Sequence, residues 1–411
     1  MNPRPWIAVA ALLLPALGCR DQSQSPTEPL SPTPQPNLAV VALTFRQVSG
    51  GGFHTCGVTT TNQAYCWGYN QYGQLGTGTA TGPQQCNGAD GPFPCSTKPV
   101  PVAGGLHFLQ VSAGLAHTCG VATDHRIYCW GGNDGRLGNG TTDNRPSPVA
   151  VAGDRQFRQV AAGYYHSCAV TTGARAFCWG SNAYGQLGDG TTVQRLTPVA
   201  VSGGRSFRQV SVSFGTYDFS CGATTDNRGF CWGNNDLGQV GDSSSARRRL
   251  KPTAVAGGHQ FLQIDAGFTH VCGVTTGHRA FCWGNGRNGE IGNGKTYLSF
   301  WPRAVAGGLF FERVTAGSAF TCAETTTNQG YCWGLNTYGQ VGDGTTTQHL
   351  TPVAVAGGHF FEQLTAGDLH TCGIASGAAY CWGYGFFGQL GNGTSSFGAQ
   401  AHSPVAVSGP S

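Results

Sequence analysis

Seven pairs of cysteines sit nine or ten residues apart: Cys56/Cys66, Cys119/Cys129, Cys168/Cys178, Cys221/Cys231, Cys272/Cys282, Cys322/Cys332 and Cys372/Cys381. A thiol pair can hold zinc, cycle between dithiol and disulfide, or lock two strands together. Zinc sites pair cysteines two to four residues apart, and redox motifs use Cys-x-x-Cys. This spacing fits neither. In "CAVTTGARAFC" a three-residue turn (Thr172, Gly173, Ala174) sets Cys168 opposite Cys178 on antiparallel strands. The seventh pair is one residue shorter, and Ser376-Gly377 then makes a two-residue turn with the cysteines still opposed. Opposed residues at a non-hydrogen-bonded site come close enough for a bridge. Reduced core cysteines are the alternative, since Cys packs as a small apolar residue.

Other chemistry is thin. A histidine stands two residues before the first cysteine of five pairs: His54, His117, His166, His270 and His370. Phe219 and Phe320 take that place in the other two. Five histidines around an axis suggest a metal ring. A residue repeated this often is better explained by a repeated task, such as bonding a backbone carbonyl next door. "CNGADGPFPC" offers Asn87 and Asp90 to calcium, but one carboxylate is too few oxygen ligands. "RRRLK" (Arg247–Lys251) is a small basic run that could meet polyanions or a solvated loop. No nucleophile elbow, paired-carboxylate motif or phosphate-binding glycine loop is legible. The reading is therefore no enzyme, no metal and no cofactor.

The elements that must carry these residues repeat. Cys-Trp-Gly occurs seven times, with tryptophans at 67, 130, 179, 232, 283, 333 and 382, spaced 49 to 63 residues apart. A period near 50 is the mark of stacked or radial repeats. In the third unit, "FRQVAAG", "HSCAVTT", "RAFCWGSN" and "TPVAV" each read as a short strand bounded by Gly, Asn or Pro. Four strands per unit fits one propeller blade. The fold class is all-β: a seven-bladed β-propeller of four-stranded antiparallel blades, one disulfide per blade. The tryptophans are the wedges between blades.

The pattern Gly-x-x-His-[Ser/Thr]-x … Trp-Gly-x-Asn-x-x-Gly-Gln-[Leu/Val]-Gly resembles the regulator of chromosome condensation repeats, over about residues 45–407. The resemblance implies a seven-bladed propeller. It does not imply one function, because that fold serves nucleotide exchange on a small GTPase, chromatin binding and, in secreted bacterial members, enzyme inhibition.

The ends speak to compartment. Arg4 and the apolar run Trp6–Gly18 form a signal peptide over 1–18. "ALGC" reads as a lipoprotein box, with Cys19 the acylated residue; simple secretion is the alternative. Residues 19–38 are a Ser/Pro-rich disordered tether, and 39–411 the propeller, with an insertion at about 77–98. The expected location is lipid-anchored to the bacterial cell envelope, periplasmic or surface side, as a monomer. Of 17 cysteines, Cys86 and Cys95 remain for an eighth bridge in the insertion. Only 10% of residues are charged, with a formal net charge of +4, so there is no nucleic-acid footprint. Both Ala39–Leu43 and Ser403–Val407 fit the outer strand that closes the ring.

Loops alternate between two faces. The strand 1–2 and 3–4 loops share one, and the sizeable length changes fall there: 77–98, the loop before Cys221, and the segment around Phe397. That face collects Tyr69, Tyr72, Tyr164, Tyr165, Tyr184, Phe214, Tyr217, Phe268, Tyr338, Phe386 and Phe387, with Asp218 and Asp368 as its polar groups. The opposite face collects arginines and histidines, among them Arg155, Arg205, Arg279 and His359. Aromatic anchors suit a protein interface and also sugar stacking. The expected function is a membrane-tethered, non-catalytic module that binds a protein through this face. The alternatives are polysaccharide binding or cleavage, a structural role in the envelope, and the nucleotide-exchange role that the resemblance suggests.

Overall fold

The computed structural model describes residues 43–88, 91–396 and 398–410. The expectations for the signal peptide, Cys19, the tether, Asp90 and Phe397 fall outside them. Every regular element among the described residues is a β-strand. They form seven antiparallel sheets, and neighbouring sheets pack side by side until the seventh meets the first.

Blade one contains β1 (Phe45–Gly50), β2 (His54–Thr59), β3 (Ala64–Tyr69), β4 (Gln84–Gly88) and β5 (Gly91–Pro101), in the order β1-β2-β3-β5-β4. The other six blades each have four strands in chain order. The expectation of four strands therefore holds for six blades. In the first, the insertion adds a strand: it folds back as the β4–β5 hairpin, held by the Cys86–Cys95 disulfide. The repeat supplies one disulfide per blade as expected, and the eighth, Cys86–Cys95, lies in the insertion of blade one.

The seven repeated cysteine pairs are bridged: Cys56–Cys66, Cys119–Cys129, Cys168–Cys178, Cys221–Cys231, Cys272–Cys282, Cys322–Cys332 and Cys372–Cys381. Cys168 stands opposite Cys178 in the register, with Cα atoms 4.0 Å apart. The hairpin tip follows the expected turn: Thr171 and Arg175 close it, and Ala174 takes φ 63°. In blade seven Ser376 (φ 51°) and Gly377 (φ 76°) make the two-residue turn in which both central residues need positive φ.

The sulfurs do more than staple a hairpin. All of these repeated cysteines are fully buried, so none belongs to an accessible site. Cys66 packs beside Trp130, Cys231 beside Trp283, Cys282 beside Trp333 and Cys332 beside Trp382, in each case the tryptophan of the following blade. The strand that carries them is also less regular than a plain ladder. Its register to the outer strand shifts between Cys66 and Gly68, and likewise after Cys231, Cys282 and Cys332. Such an irregularity twists the strand and re-aims its side chains, here at the tryptophan between each cysteine and glycine.

The core lies between blades. Phe157, Val160 and Trp179 of blade three pack on Val121, Cys119, Cys129 and Leu137 of blade two. The same cluster recurs around the ring and ends with Phe45, Val48 and Trp67 of blade one against Ile374, Cys381 and Leu390 of blade seven. No blade buries its faces alone, which makes the ring one cooperative unit. Each indole Nε1–H donates to a carbonyl in the preceding blade, as Trp130 does to Gln74 at 3.0 Å. The glycine two residues after that carbonyl must be bare. A Cβ on Gly76, whose φ is 72°, would stand 2.7 Å from the Trp130 Nε1.

A second lock runs along the inner strands. Gln47 donates to the Val111 carbonyl at 2.8 Å and accepts from the Val111 amide at 2.9 Å. Gln110, Gln159, Gln209, Gln263 and Gln363 repeat this double bond to the next blade. Blade six has Arg313 instead, and there Glu324 accepts from the Leu364 amide.

Blade seven consists of Gln363–Ala366, His370–Ala375, Ala378–Tyr384 and Gln400–Ala406. The Ser403 stretch thus supplies its outer strand, which resolves the ambiguity at the seam.

Candidate functional site

The histidines come first, because they carry the most familiar chemistry. His54 Nε2 lies 2.8 Å from the Thr118 hydroxyl of the next blade. That hydroxyl donates to the Gln74 carbonyl at 2.9 Å, the same carbonyl that Trp130 uses. A hydroxyl has one proton, so the imidazole must be the donor to it. His117, His166, His270 and His370 do the same to Ser167, Ser220, Thr321 and Thr55. The expected bond to a carbonyl is indirect: the histidine reaches the carbonyl through a hydroxyl. Burial holds His54 and His270 down to about 3 and His370 to about 4. Those three are neutral struts.

Where blade four carries Phe219 instead, the hydroxyl position of blade five is Val271, so both polar partners are gone. Blade four adds Asp218, whose Oδ1 lies 3.5 Å from Nδ1 of His166 in blade three. Ser220, His166 and Asp218 thus resemble a nucleophile, base and orienting acid. Yet Ser220 and His166 are fully buried and the serine proton is spent on the Gln186 carbonyl at 2.8 Å. No substrate can reach it. Asp218, expected on the loop face, is only 3% exposed and turns inward to His166 and Gln186.

The loop face is built by the Gly-Gln-Leu-Gly turns. In blade one the Gln74 side chain accepts from the Tyr72 amide at 2.9 Å, and Asn70 accepts from the Leu75 amide at 3.0 Å. The turn is pinned on both sides, and the residue before its first glycine is displayed outward. Around the ring that residue is Tyr72, Asp134, Tyr184, Leu237, Asn288, Tyr338 and Phe387.

The display is uneven. Blades six, seven and one form a continuous aromatic surface. Tyr338 meets Tyr384 at 4.8 Å between centroids, Phe386 meets Phe387 at 4.9 Å, and Phe387 meets Phe53 at 4.7 Å and Tyr69 at 5.2 Å. Phe93, from the insertion hairpin, packs on Tyr69, Phe386 and Phe387. Beside this surface lies a cavity of about 270 Å³, bounded by Phe53, Tyr69, Tyr72, Tyr164 and Phe387. A second, of about 250 Å³, shares Tyr72 and Tyr164 and continues to Tyr165, Asp134 and Arg136. Arg136 replaces the turn glutamine of blade two. It grips both oxygens of Asp134 at 2.7 Å, donates to the Tyr164 carbonyl and lies over the Tyr165 ring at 5.1 Å. Burial and the Tyr165 hydroxyl push Tyr164 up to about 12, so it stays protonated.

Of the residues expected on this face, Tyr72, Tyr164, Tyr165, Tyr338, Phe386 and Phe387 come together here. Tyr184 is exposed at 38% on blade three, away from the rings that meet on blades six, seven and one. Phe214 lines the mouth of the central channel, and Phe268 lies against Gly215. Tyr217 is half-buried in the lengthened loop of blade four. Asp368 is half-buried too, its carboxyl pushed up by that burial. Sequence reasoning misses Phe53, Phe93 and Tyr384. Phe53 holds the place in blade one that Tyr165 holds in blade three, and that equivalence is the signal that could have found it.

The remaining features are structural. The central channel opens to a cavity of about 180 Å³ whose Ser112, Ser211, Asp265 and Thr315 bond the neighbouring inner strand. Asp265 accepts from Ser211 at 2.8 Å and the Ala316 amide at 2.9 Å. On the opposite face Arg155, Arg205 and Arg279 lie over Phe177, Phe230 and Phe310 at 4.4 to 4.5 Å. Of the basic run, Arg247 pairs with Asp236 at 3.0 Å and Arg249 with Asp242 at 2.7 Å. Among the described residues no three His, Cys, Asp or Glu side chains form a group that could hold a metal.

Comparison with known proteins matches this architecture. The RCC1-like domain model matches residues 14–309. Models of the regulator of chromosome condensation (RCC1) repeat match 311–340, 329–374 and 376–411. The ultraviolet-B receptor UVR8 of Arabidopsis thaliana is 28% identical over 272 residues, 64% of this chain and 58% of UVR8. The human E3 ubiquitin-protein ligase HERC2 is 29% identical over 62% of this chain but only 4% of its own length. The chain therefore spans little more than half of one relative and a small part of the other. Human WBSCR16 superposes with a TM-score of 0.70 at 22% identity, over 81% of this chain and 88% of that one. Saccharomyces cerevisiae Prp20p, described with its binding to Gsp1p and histones, gives 0.70 at 19% identity, over 89% and 87%. At these identities the two structures speak for the fold alone. With the RCC1-like domain model covering residues 14–309 and the repeat models continuing to 411, the chain belongs to the regulator of chromosome condensation (RCC1) repeat family.

Proposed function

We propose that this protein is a non-catalytic binding module that holds a protein partner on its aromatic loop face. The observation that carries this is the unbroken run of rings from Tyr338 through Phe387 to Tyr72, beside two cavities and on a disulfide-locked scaffold. A rigid surface loses little entropy on docking, and aromatic anchors dominate interface energy. Relatives of the same fold are described with protein partners: yeast RCC1 (Prp20) with Kap60, and Prp20p with Gsp1p and histones.

The module works outside the cytoplasm, exported by residues 1–18 and anchored through a lipid on Cys19. Eight disulfides support that compartment. They also weigh against the exchange of nucleotide on a cytoplasmic GTPase.

The test is affinity capture from the host envelope, with the protein and its Tyr72→Ala/Tyr165→Ala/Phe387→Ala variant as baits. A protein retained by the first and lost by the second supports the reading. Identical capture by both overturns it, and retention of envelope polysaccharide instead would favour the glycan alternative.

A further inference from the structure

The side of the ring opposite the aromatic loops carries a pattern of its own. Hairpin tips and blade crossovers meet there, as where the Phe108 amide donates to the Asn62 carbonyl and the Phe157 amide to that of His125. They bear Arg126, Arg155, Arg175, Arg205, Arg228 and Arg279, against Asp124, Asp154 and Asp226. The inner strands begin on the same side and add Arg46, Arg158 and Arg208, against Glu312 and Glu362. That is nine arginines to five carboxylates, and the excess of four equals the formal net charge of the whole chain. The rest of the chain is electrically balanced.

These arginines also differ in their partners. On the loop side Arg136, Arg145, Arg195, Arg247 and Arg249 each pair with an aspartate. Among the described residues no arginine of the opposite side pairs with a carboxylate. Their guanidiniums lie on rings and carbonyls instead: Arg205 over Phe230 at 4.4 Å, Arg158 on the Phe207 carbonyl at 2.6 Å. Such contacts hold a guanidinium in place and leave its charge unmatched. The densest group is in blade four. A cavity of about 280 Å³ lies between Arg205 and Arg228, bounded also by Ser206, Thr225 and Asp226. Arg175 donates to the Gly204 carbonyl at 3.3 Å, and Arg208 to the Asn227 side chain at 2.6 Å, so four guanidiniums gather near one carboxylate. Beside this basic surface two rings project. Phe310 and Phe360 are 53% and 64% exposed, more than any other Phe, Tyr or Trp among the described residues. Arg279 lies over Phe310 at 4.4 Å and joins the rings to the arginines.

Unmatched arginines call for anions, and bare phenylalanines call for an apolar phase. A lipid surface with anionic headgroups supplies both side by side, phosphates outside and acyl chains just beneath. The chain adds a third sign. Thr44 lies on this side, its carbonyl accepting from the Thr60 amide at a hairpin tip, so the segment that leads from Cys19 joins the ring here. Resting on the reading that Cys19 carries a lipid, we propose that this face docks on an anionic membrane surface. Headgroup phosphates enter the cavity between Arg205 and Arg228, and Phe310 and Phe360 dip into the interface. The ring then lies flat on the bilayer and turns its aromatic loops away from it, toward the partner.

The test is sedimentation of the full chain with lipid vesicles, in its Cys19→Ser form so that no acyl chain contributes. Vesicles of equal parts phosphatidylcholine and phosphatidylglycerol are expected to bind it at least tenfold more tightly than phosphatidylcholine alone. Arg205→Glu/Arg228→Glu should weaken that binding at least tenfold, and Phe310→Ser/Phe360→Ser at least threefold. Arg287→Glu/Lys295→Glu makes the same change of net charge at exposed loop-side positions and should leave it unaltered. Thermal melting checks that each variant keeps the ring. Equal binding to the two kinds of vesicle, no binding to either, equal losses from the two charge reversals, or no effect of the phenylalanine change overturns the proposal. So does retention of DNA or polyglutamate without retention of vesicles. The mass of the envelope-extracted protein reads the lipid on Cys19 separately. A plain Cys19 with vesicle binding intact removes the anchor and leaves the docking face. A lipidated chain whose Cys19→Ser form ignores vesicles removes the docking face and leaves the anchor.

Discussion

His370 of blade seven lies 2.9 Å from the hydroxyl of Thr55 in blade one, and this bond spans the place where the ring closes. It repeats the bond from His54 to Thr118 inside the ring. The seam is therefore made of the same parts as the junction between blades one and two.

The struts predict an acid limb of stability. Burial depresses His54, His117, His270 and His370 below their ordinary value of 6.5. A base depressed in the folded state is protonated first in the unfolded chain. Its contribution is whole above about pH 6.5 and is lost as pH falls toward 4, by up to about 1.4 kcal/mol per pH unit per group. His370→Phe, which copies the residue that Phe219 and Phe320 place at this position, should flatten that limb by one group's share. Thermal unfolding from pH 7 to 4 checks it, and an unchanged slope would refute it.

Two buried carboxyls predict the opposite limb. Burial raises Glu290 and Glu324 to about 7, and each keeps one oxygen without a partner. An acid raised in the folded state holds its proton there longer than in the unfolded chain. Its stabilising share is whole below about pH 4.5 and fades as pH climbs toward 7. Glu290→Gln restores the residue found in the turns of blades one, three, four, six and seven. It should raise stability at pH 8 by at most roughly 3 kcal/mol and leave pH 4 unchanged. Denaturant titrations at the two pH values decide this.

The disulfides should divide into two classes. Replacing Cys168 and Cys178 by Ala opens a bridge inside the blade three–four core, and should cost about 2–3 kcal/mol by loop entropy. Replacing Cys86 and Cys95 frees only the β4–β5 hairpin. The ring should melt almost as before, while partner capture weakens, because Phe93 loses its fixed place under Phe386 and Phe387. Equal losses of melting temperature from both would contradict this division.

Period and spacing carried most of the fold. The hairpin turns at Ala174 and at Ser376-Gly377 were legible because turn length and cysteine register constrain each other. The β4 strand was not, since an insertion breaks the repeat that gave each unit its meaning. The place of Cys66, Cys231, Cys282 and Cys332 against the next blade's tryptophan was not legible either, because spacing along one hairpin says nothing about its neighbour. At the site, the turn-displayed residues Tyr72, Tyr338 and Phe387 could be read from the Gly-Gln-Leu-Gly pattern. Asp218 could not. Its direction depends on His166 and Gln186, brought alongside only by folding. Phe93 was hidden for a similar reason, as a hairpin had to carry it over blade seven.

The closing seam has one further consequence. Ser408 donates to the Gly391 carbonyl at 2.8 Å, just as Ala103 donates to Gly76 at 2.9 Å where blade one passes to blade two. Thr60 donates to Thr44 at 2.9 Å, as Thr123 does to His107. The seam is a crossover lacking only its covalent link. A circular permutant that joins Ser408 to Thr44 through a short glycine linker, and opens instead between Gly257 and Gly258, should rebuild the same ring. What the fold reads is the cyclic order of its blades, and any of the seven could stand first.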